Sequence, residues 1–245
     1  MPYSREYFRL NFLFAERAAE LASIPLPEAL FRYTHLYRAM RMGTTPNSAN
    51  PDWQAYLAGL ADAEDPPGWT HAFCEERHAR LPPRILENAS GCFSYELWED
   101  GRVRLHFRNA ESPGVSPLCR ERMPVRRAEL ADLFSHLRHT LPGDARVVGG
   151  SWMYHLEAYR RLFPLRFLQT ARPVRTDFQF ITLWGQFLDR DGRVRPRPAD
   201  AFERNIRQAA QQEDLPNCFP FPVLYLEESI QVFYDHFEIP HPGGD

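Results

Sequence analysis

Hydrophobic positions in the first 85 residues recur at helical spacing. Leu10, Leu13, Phe14, Ala18 and Leu21 share one face of a helix that Ser4 can cap. Leu30, Tyr33, Tyr37 and Met40 form a second stripe, entered through Pro27 and stopped at Gly43. Asn50-Pro51 opens a short helix that turns Trp53, Leu57 and Leu60 inward. Thr70 is placed to cap a fourth helix, which the Leu81-Pro82-Pro83 run ends.

Near residue 90 the period changes to two. Phe93, Tyr95 and Leu97 alternate with Ser94, Glu96 and Trp98; Val103, Leu105 and Phe107 alternate with Arg104, His106 and Arg108. This pattern predicts a β-hairpin. A two-residue Asp100-Gly101 loop would set Val103 opposite Trp98. A three-residue loop of Glu99, Asp100 and Gly101 sets Val103, Leu105 and Phe107 opposite Leu97, Tyr95 and Phe93 instead. Only the second aligns the apolar face, so it predicts a left-handed Gly101 and puts Glu96 across from Arg104.

Further on, Leu130, Leu133, Phe134 and Leu137 mark an amphipathic helix, and Arg146–Gly150 reads as a short buried strand. A helix is expected from Met153 to Phe163, ended by Pro164. Phe178–Leu188 is apolar on both faces and reads as a central strand. Asp200 can cap a helix carrying Phe202, Ile206 and Ala209; Pro216–Pro222 reads as extended; Ile230, Phe233, Tyr234 and Phe237 mark a final helix. The fold class is therefore α+β: a helical region over 1–87, then an α+β domain over 88–245 with a mixed or antiparallel sheet flanked by helices. The pentapeptide DGRVR occurs at 100–104 and again at 191–195. Its flanks do not match, so it reads as a recurring Asp-Gly turn.

Composition narrows the chemistry. All 29 basic residues are Arg, and Lys is absent. Lysine Schiff-base chemistry, the Walker phosphate loop and the protein-kinase residue set are thereby excluded. The Arg bias is that of a GC-rich bacterial genome. A net charge of −3 gives no polybasic footprint, so no nucleic-acid partner is expected. No apolar run approaches a membrane span, and MPYSREYF has no signal-peptide core. Together with four scattered Cys, this reads as a cytoplasmic protein without a membrane partner.

Charge is unevenly placed. Residues 47–76 carry six acids and no Arg; 158–207 carry eleven Arg and five acids; 208–245 carry seven acids and no Arg. One reading is an Arg-lined site for an anionic small molecule, drawn from Arg160, Arg161, Arg166, Arg172 and Arg175. The other is an acidic tail that neutralises the basic segment of the same molecule.

His71, Cys74 and His78 fall on one helix face, the spacing of a zinc site that Cys92 would complete. The alternative is a half-buried Cys between two surface His residues. Ser151 follows Gly149-Gly150 but lacks the flanking pattern of a nucleophile elbow.

ARVVGGSW leads into MYHLEAYRRLF, a Pro break, RFLQTAR and a long apolar run. Ala158, Leu162, Phe163 and Phe167 stand where a late Ala-x-x-Leu-Tyr-type motif would fall. Over residues 90–190 this resembles the GNAT-like acyltransferase C-terminal domain. The resemblance implies coenzyme A as cofactor and an acyl-transfer pocket beside the 145–163 junction. Trp152, Tyr154, His155, Glu157 and Arg160 would line that pocket, with His155 and Glu157 as general-base candidates. Cys119–Arg126 carries no Gly where the family's pyrophosphate loop has them, and Phe163 stands in place of its acidic Tyr. A non-catalytic binding protein is the alternative.

Overall fold

A computed structural model of the chain describes residues 3–82, 88–112, 114–141 and 143–240. The chain is α+β and divides into two compact units: Met1–Pro83 with Arg175–Pro222, and Arg84–Val174 with Val223–Asp245. Residues 175–222, which the pattern groups with the sheet, cluster with the N-terminal helices.

The first unit is helical. Helix α1, Arg5–Ala22, begins at Ser4, whose hydroxyl accepts the Tyr7 N–H. The second apolar stripe is two helices, α2 (Leu26–Tyr33) and α3 (Leu36–Ala39). Thr34 makes the break: its backbone is extended and its hydroxyl donates to the Leu30 carbonyl at 2.5 Å. The His35 N–H goes instead to Asn11 Oδ1 of α1 at 3.3 Å. Helix α4, Pro51–Ala61, is capped by Asn50 as the pattern predicts.

Helix α5, Pro66–Arg80, starts earlier than expected, because Asp65 caps it and two prolines fill its first turn. Thr70 lies inside α5, its hydroxyl within 2.8 Å of the Pro66 carbonyl and the Tyr56 hydroxyl.

Phe178–Leu188 is not a strand. The segment forms a single helical turn, Ile181–Trp184, followed by a 3-10 turn, Gly185–Phe187. A short apolar run fits either state by pattern alone. Here local side chains satisfy the buried backbone: the Trp184 indole donates to the Phe178 carbonyl at 2.6 Å, and the Gln186 amide donates to the Leu183 carbonyl at 2.8 Å. Phe14, Phe178, Trp184, Phe202 and Phe219 then pack as one aromatic cluster. The next helix, Pro196–Gln208, has Pro at its start, so Asp200 sits within it rather than capping it. Gln212–Cys218 is a 3-10 helix, taking the first part of the segment expected to be extended.

The second unit holds a six-stranded sheet. Its strands are β1 (Ala89–Ser90), β2 (Phe93–Leu97), β3 (Val103–Phe107), β4 (Arg146–Ser151), β5 (Arg172–Val174) and β6 (Val223–Ser229). They lie in the order β1-β2-β3-β4-β6-β5, and β3–β4 is the parallel pair. The hairpin has the predicted register: Phe93, Tyr95, Glu96 and Leu97 face Phe107, Leu105, Arg104 and Val103. Gly101 is left-handed at φ 79°, and the Trp98 N–H donates to the Arg102 carbonyl across the three-residue loop at 2.9 Å. The repeated pentapeptide makes the same turn again, with Gly192 at φ 81° and the Asp189 N–H donating to the Arg193 carbonyl at 2.8 Å.

Helices cover one face of this sheet. Val103, Leu105, Val147 and Leu226 meet Leu130, Leu133, Phe134 and Leu137 of the Met123–Thr140 helix, and Ile230 and Phe233 of the Ile230–His236 helix. The helix expected over 153–163 is broken. A 3-10 turn (Trp152–His155) and one α turn (Glu157–Arg160) precede Pro164, which starts a further helix, Leu165–Gln169. Tyr154 explains the early turn: its ring and hydroxyl lie against Gly149, where an added Cβ would stand 2.7 Å from the phenol Cζ.

Candidate functional site

Strand alternation decides which side chains leave the helix-covered face. Val148 pairs with Arg104 on β3 and with Glu227 on β6; Gly150 pairs with Tyr225, and Tyr225 pairs with Arg172 on β5. Arg104, Arg146, Glu227, Tyr225 and Arg172 thus share the second face. Trp98 and Arg102, at the hairpin end, join them.

The centre of this face is a closed polar network. Tyr225 donates its hydroxyl to Glu227 Oε2 at 2.5 Å, and Arg146 Nε donates to Glu227 Oε1 at 2.6 Å. Arg102 donates to the Tyr225 hydroxyl at 3.1 Å and forks onto Asp100 at 2.6 and 2.8 Å. The Tyr225 hydroxyl first, then Arg146 and Arg102, hold the Glu227 carboxyl below the ordinary carboxylate range. The Arg102 side chain does the same for Asp100. Both acids are therefore charged at neutral pH. Burial, then the hydrogen bond to Glu227, raises the Tyr225 phenol, so it stays a donor.

The edges of the face differ from its centre. Arg172 stacks on the Tyr225 ring at 5.1 Å, and Arg104 lies over the Trp98 ring at 5.6 Å. Neither makes an ion pair with an acid among the described residues. An aromatic support of this kind orients a guanidinium while leaving its donors to solvent. Between them, Gly150 leaves bare backbone: a Cβ added there would meet nothing within 4 Å.

The residues expected from the sequence fall elsewhere, with one exception. Arg172 belongs to this face. Arg160 and Arg161 are exposed on the Glu157–Arg160 turn and just after it, and Arg161 pairs with Glu157. Arg166 is exposed on the Leu165–Gln169 helix, 4.0 Å from Glu228, while Arg175 belongs to the helical unit. Trp152 and Tyr154 are buried, and burial raises the Tyr154 phenol well above its ordinary range. His155 and Glu157 are both exposed.

Among the described residues, no group of three His, Cys, Asp or Glu side chains gathers as a metal site. His71, Cys74 and His78 have another use. His78 Nε2 donates to the Ala39 carbonyl at 2.7 Å, Cys74 approaches the same carbonyl at 3.8 Å, and Arg77 donates to the Met40 carbonyl at 2.7 Å. Helix α5 therefore clamps the C-terminal carbonyls of α3, where donors are needed. His71 lies 3.6 Å from Glu75. Cys92 is committed to the sheet unit. Its thiol faces the buried Arg126 guanidinium, which also binds Glu111 and Glu129 at 2.8 Å each.

Comparison with known proteins returned no match: no family model, no curated protein and no solved structure matches this chain.

Proposed function

We propose that this protein is a non-catalytic binding module whose sheet face holds an anionic ligand. The observation that carries this reading is the pair Arg104 and Arg172. Both guanidiniums rest on aromatic rings without a partner acid among the described residues, while the centre between them is already neutralised. Charge-assisted bonds from oriented guanidiniums are the strong form of carboxylate and phosphate recognition. A catalytic reading would place the general base at His155 or Glu157, and both residues are exposed.

Thermal unfolding with millimolar pyrophosphate tests the proposal. Stabilisation is expected, falling with added salt and lost in the R104A/R172A double variant. Stabilisation that is indifferent to salt, or unchanged in the double variant, would sink it. Coenzyme A serves as the comparison ligand: a shift that survives R104A/R172A would move the reading to an acyltransferase site.

A further inference from the structure

We infer that the helical unit carries a separate site, built on α3 from His35 and Arg38, that takes a monocarboxylate with an apolar body. Tyr7 is fully buried, and its hydroxyl has no acceptor among the described residues besides His35 Nδ1, 2.9 Å away. It therefore donates to Nδ1, and Nε2 carries the ring proton. His35 is itself only 4% exposed. Its Nε2–H has no acceptor among the described residues, yet it is not sealed from solvent as Arg38 Nε is. A buried imidazole thus keeps one donor unused.

Arg38 follows three residues on, the spacing that makes two side chains neighbours on a helix. Its guanidinium rests on the Phe180 ring at 4.2 Å and makes no hydrogen bond or ion pair among the described residues. Arg38 is also the one charged group that bears on the His35 ring, which burial and that charge keep neutral. Acids that could have answered it are engaged elsewhere. Glu28 pairs with Arg32 at 2.9 Å, Asp52 pairs with Arg77 at 2.7 Å, and Asp177 accepts the Gln179 N–H at 2.9 Å. Arg41 follows on left-handed backbone at φ 56°, and its charge acts on His78. One guanidinium and one neutral N–H match a single carboxylate, charge for charge. A phosphoryl group carries about two charges at neutral pH and would leave one unmatched. The flanks are apolar: the Tyr3 ring meets the imidazole edge-on at 6.0 Å, and Ile181, next to Phe180, is 42% exposed. Covering such surface with a hydrocarbon body is favourable.

Isothermal titration calorimetry on the intact protein tests this with hexanoate, hexanamide and acetate. Hexanoate should bind, hexanamide should bind about tenfold more weakly for want of the charge, and acetate more weakly for want of the apolar body. R38M should weaken hexanoate by about tenfold, and H35N, which removes the Nε2 donor, by a similar factor. A second measurement needs no variant: the His35 Nε2–H proton resonance of the unaltered protein should move as hexanoate is added. No heat at millimolar hexanoate, equal affinity for hexanoate and hexanamide, indifference to R38M, or an unmoved Nε2–H resonance at saturation overturns the inference. R104A/R172A should bind hexanoate as the parent does, because the sheet face takes no part. Loss of hexanoate binding in that double variant would move the carboxylate to the sheet face, overturning this site and leaving the anion-binding reading intact.

Discussion

His35 makes the helical unit acid-sensitive by an amount that can be worked out. The imidazole is buried against α1, where Nδ1 and the Tyr7 hydroxyl are 2.9 Å apart. Burial first, and the nearby Arg38 charge second, lower its pKa from 6.5 to about 3. The folded protein therefore holds His35 neutral, whereas the unfolded chain protonates it near pH 6.5. Stability is complete above that pH and is lost as pH falls toward 3, because the unfolded state then binds the extra proton. Each pH unit in this window costs about 1.4 kcal/mol, so the whole window is worth about 5 kcal/mol. About 3 kcal/mol should be gone by pH 4.5, two pH units into that window.

His35→Asn keeps an acceptor for the Tyr7 hydroxyl and removes the titrating group. Urea unfolding followed by circular dichroism at pH 7.5 and pH 4.5 gives each protein's loss of stability. His78 and His236, also lowered by burial, act in the same direction in both proteins and cancel in the difference. The Asn variant should lose about 3 kcal/mol less than the parent between the two pH values. An equal loss in both would refute the assignment of a buried neutral His35.

Adjacent glycines should respond in opposite ways. Gly149→Ala drives a Cβ into the Tyr154 phenol and should cost about 2 kcal/mol, whereas Gly150→Ala meets open space and should be neutral or stabilising by about 0.5 kcal/mol in chemical denaturation. His78→Ala removes the donor on the Ala39 carbonyl and should lower stability by about 1 kcal/mol, with zinc producing no shift in the midpoint of either protein. Burial pushes the Cys74 thiol up to about 12 and Cys218 to about 11, and also raises Cys92. Ellman's reagent should therefore titrate Cys119 alone in native protein and all four cysteines in urea; two or more fast native thiols would contradict the packing.

Local signals were legible wherever one physical rule decided the outcome. The hairpin register followed from aligning a single apolar face, and it holds residue for residue through Gly101. Helix starts at Ser4 and Asn50 were legible because each side chain has one evident use. Predictions failed where tertiary partners chose between equal local options. Thr34 ended a helix whose apolar stripe continues, because Asn11 of another helix takes the next N–H. Phe178–Leu188 curled up because Trp184 and Gln186 satisfy its backbone locally.

The candidate face escaped the sequence for a related reason. Arg density along the chain pointed to 158–207, yet the face draws Arg102 and Arg104 from β3 and its turn, Arg146 from β4, and Arg172 from β5. What joins them is β6, which pairs with both β4 and β5 and supplies Tyr225 and Glu227. Its signal was weak: Val223–Leu226 is a four-residue apolar run with no alternation, and Glu227 and Glu228 end it, so it reads poorly as a strand. Glu227 and Asp100 neutralise the centre of the face and leave the charge at its edges. Guanidiniums distant in sequence thus become a spaced pair through sheet topology, and their function depends on the carboxylate set between them as much as on the charge they carry.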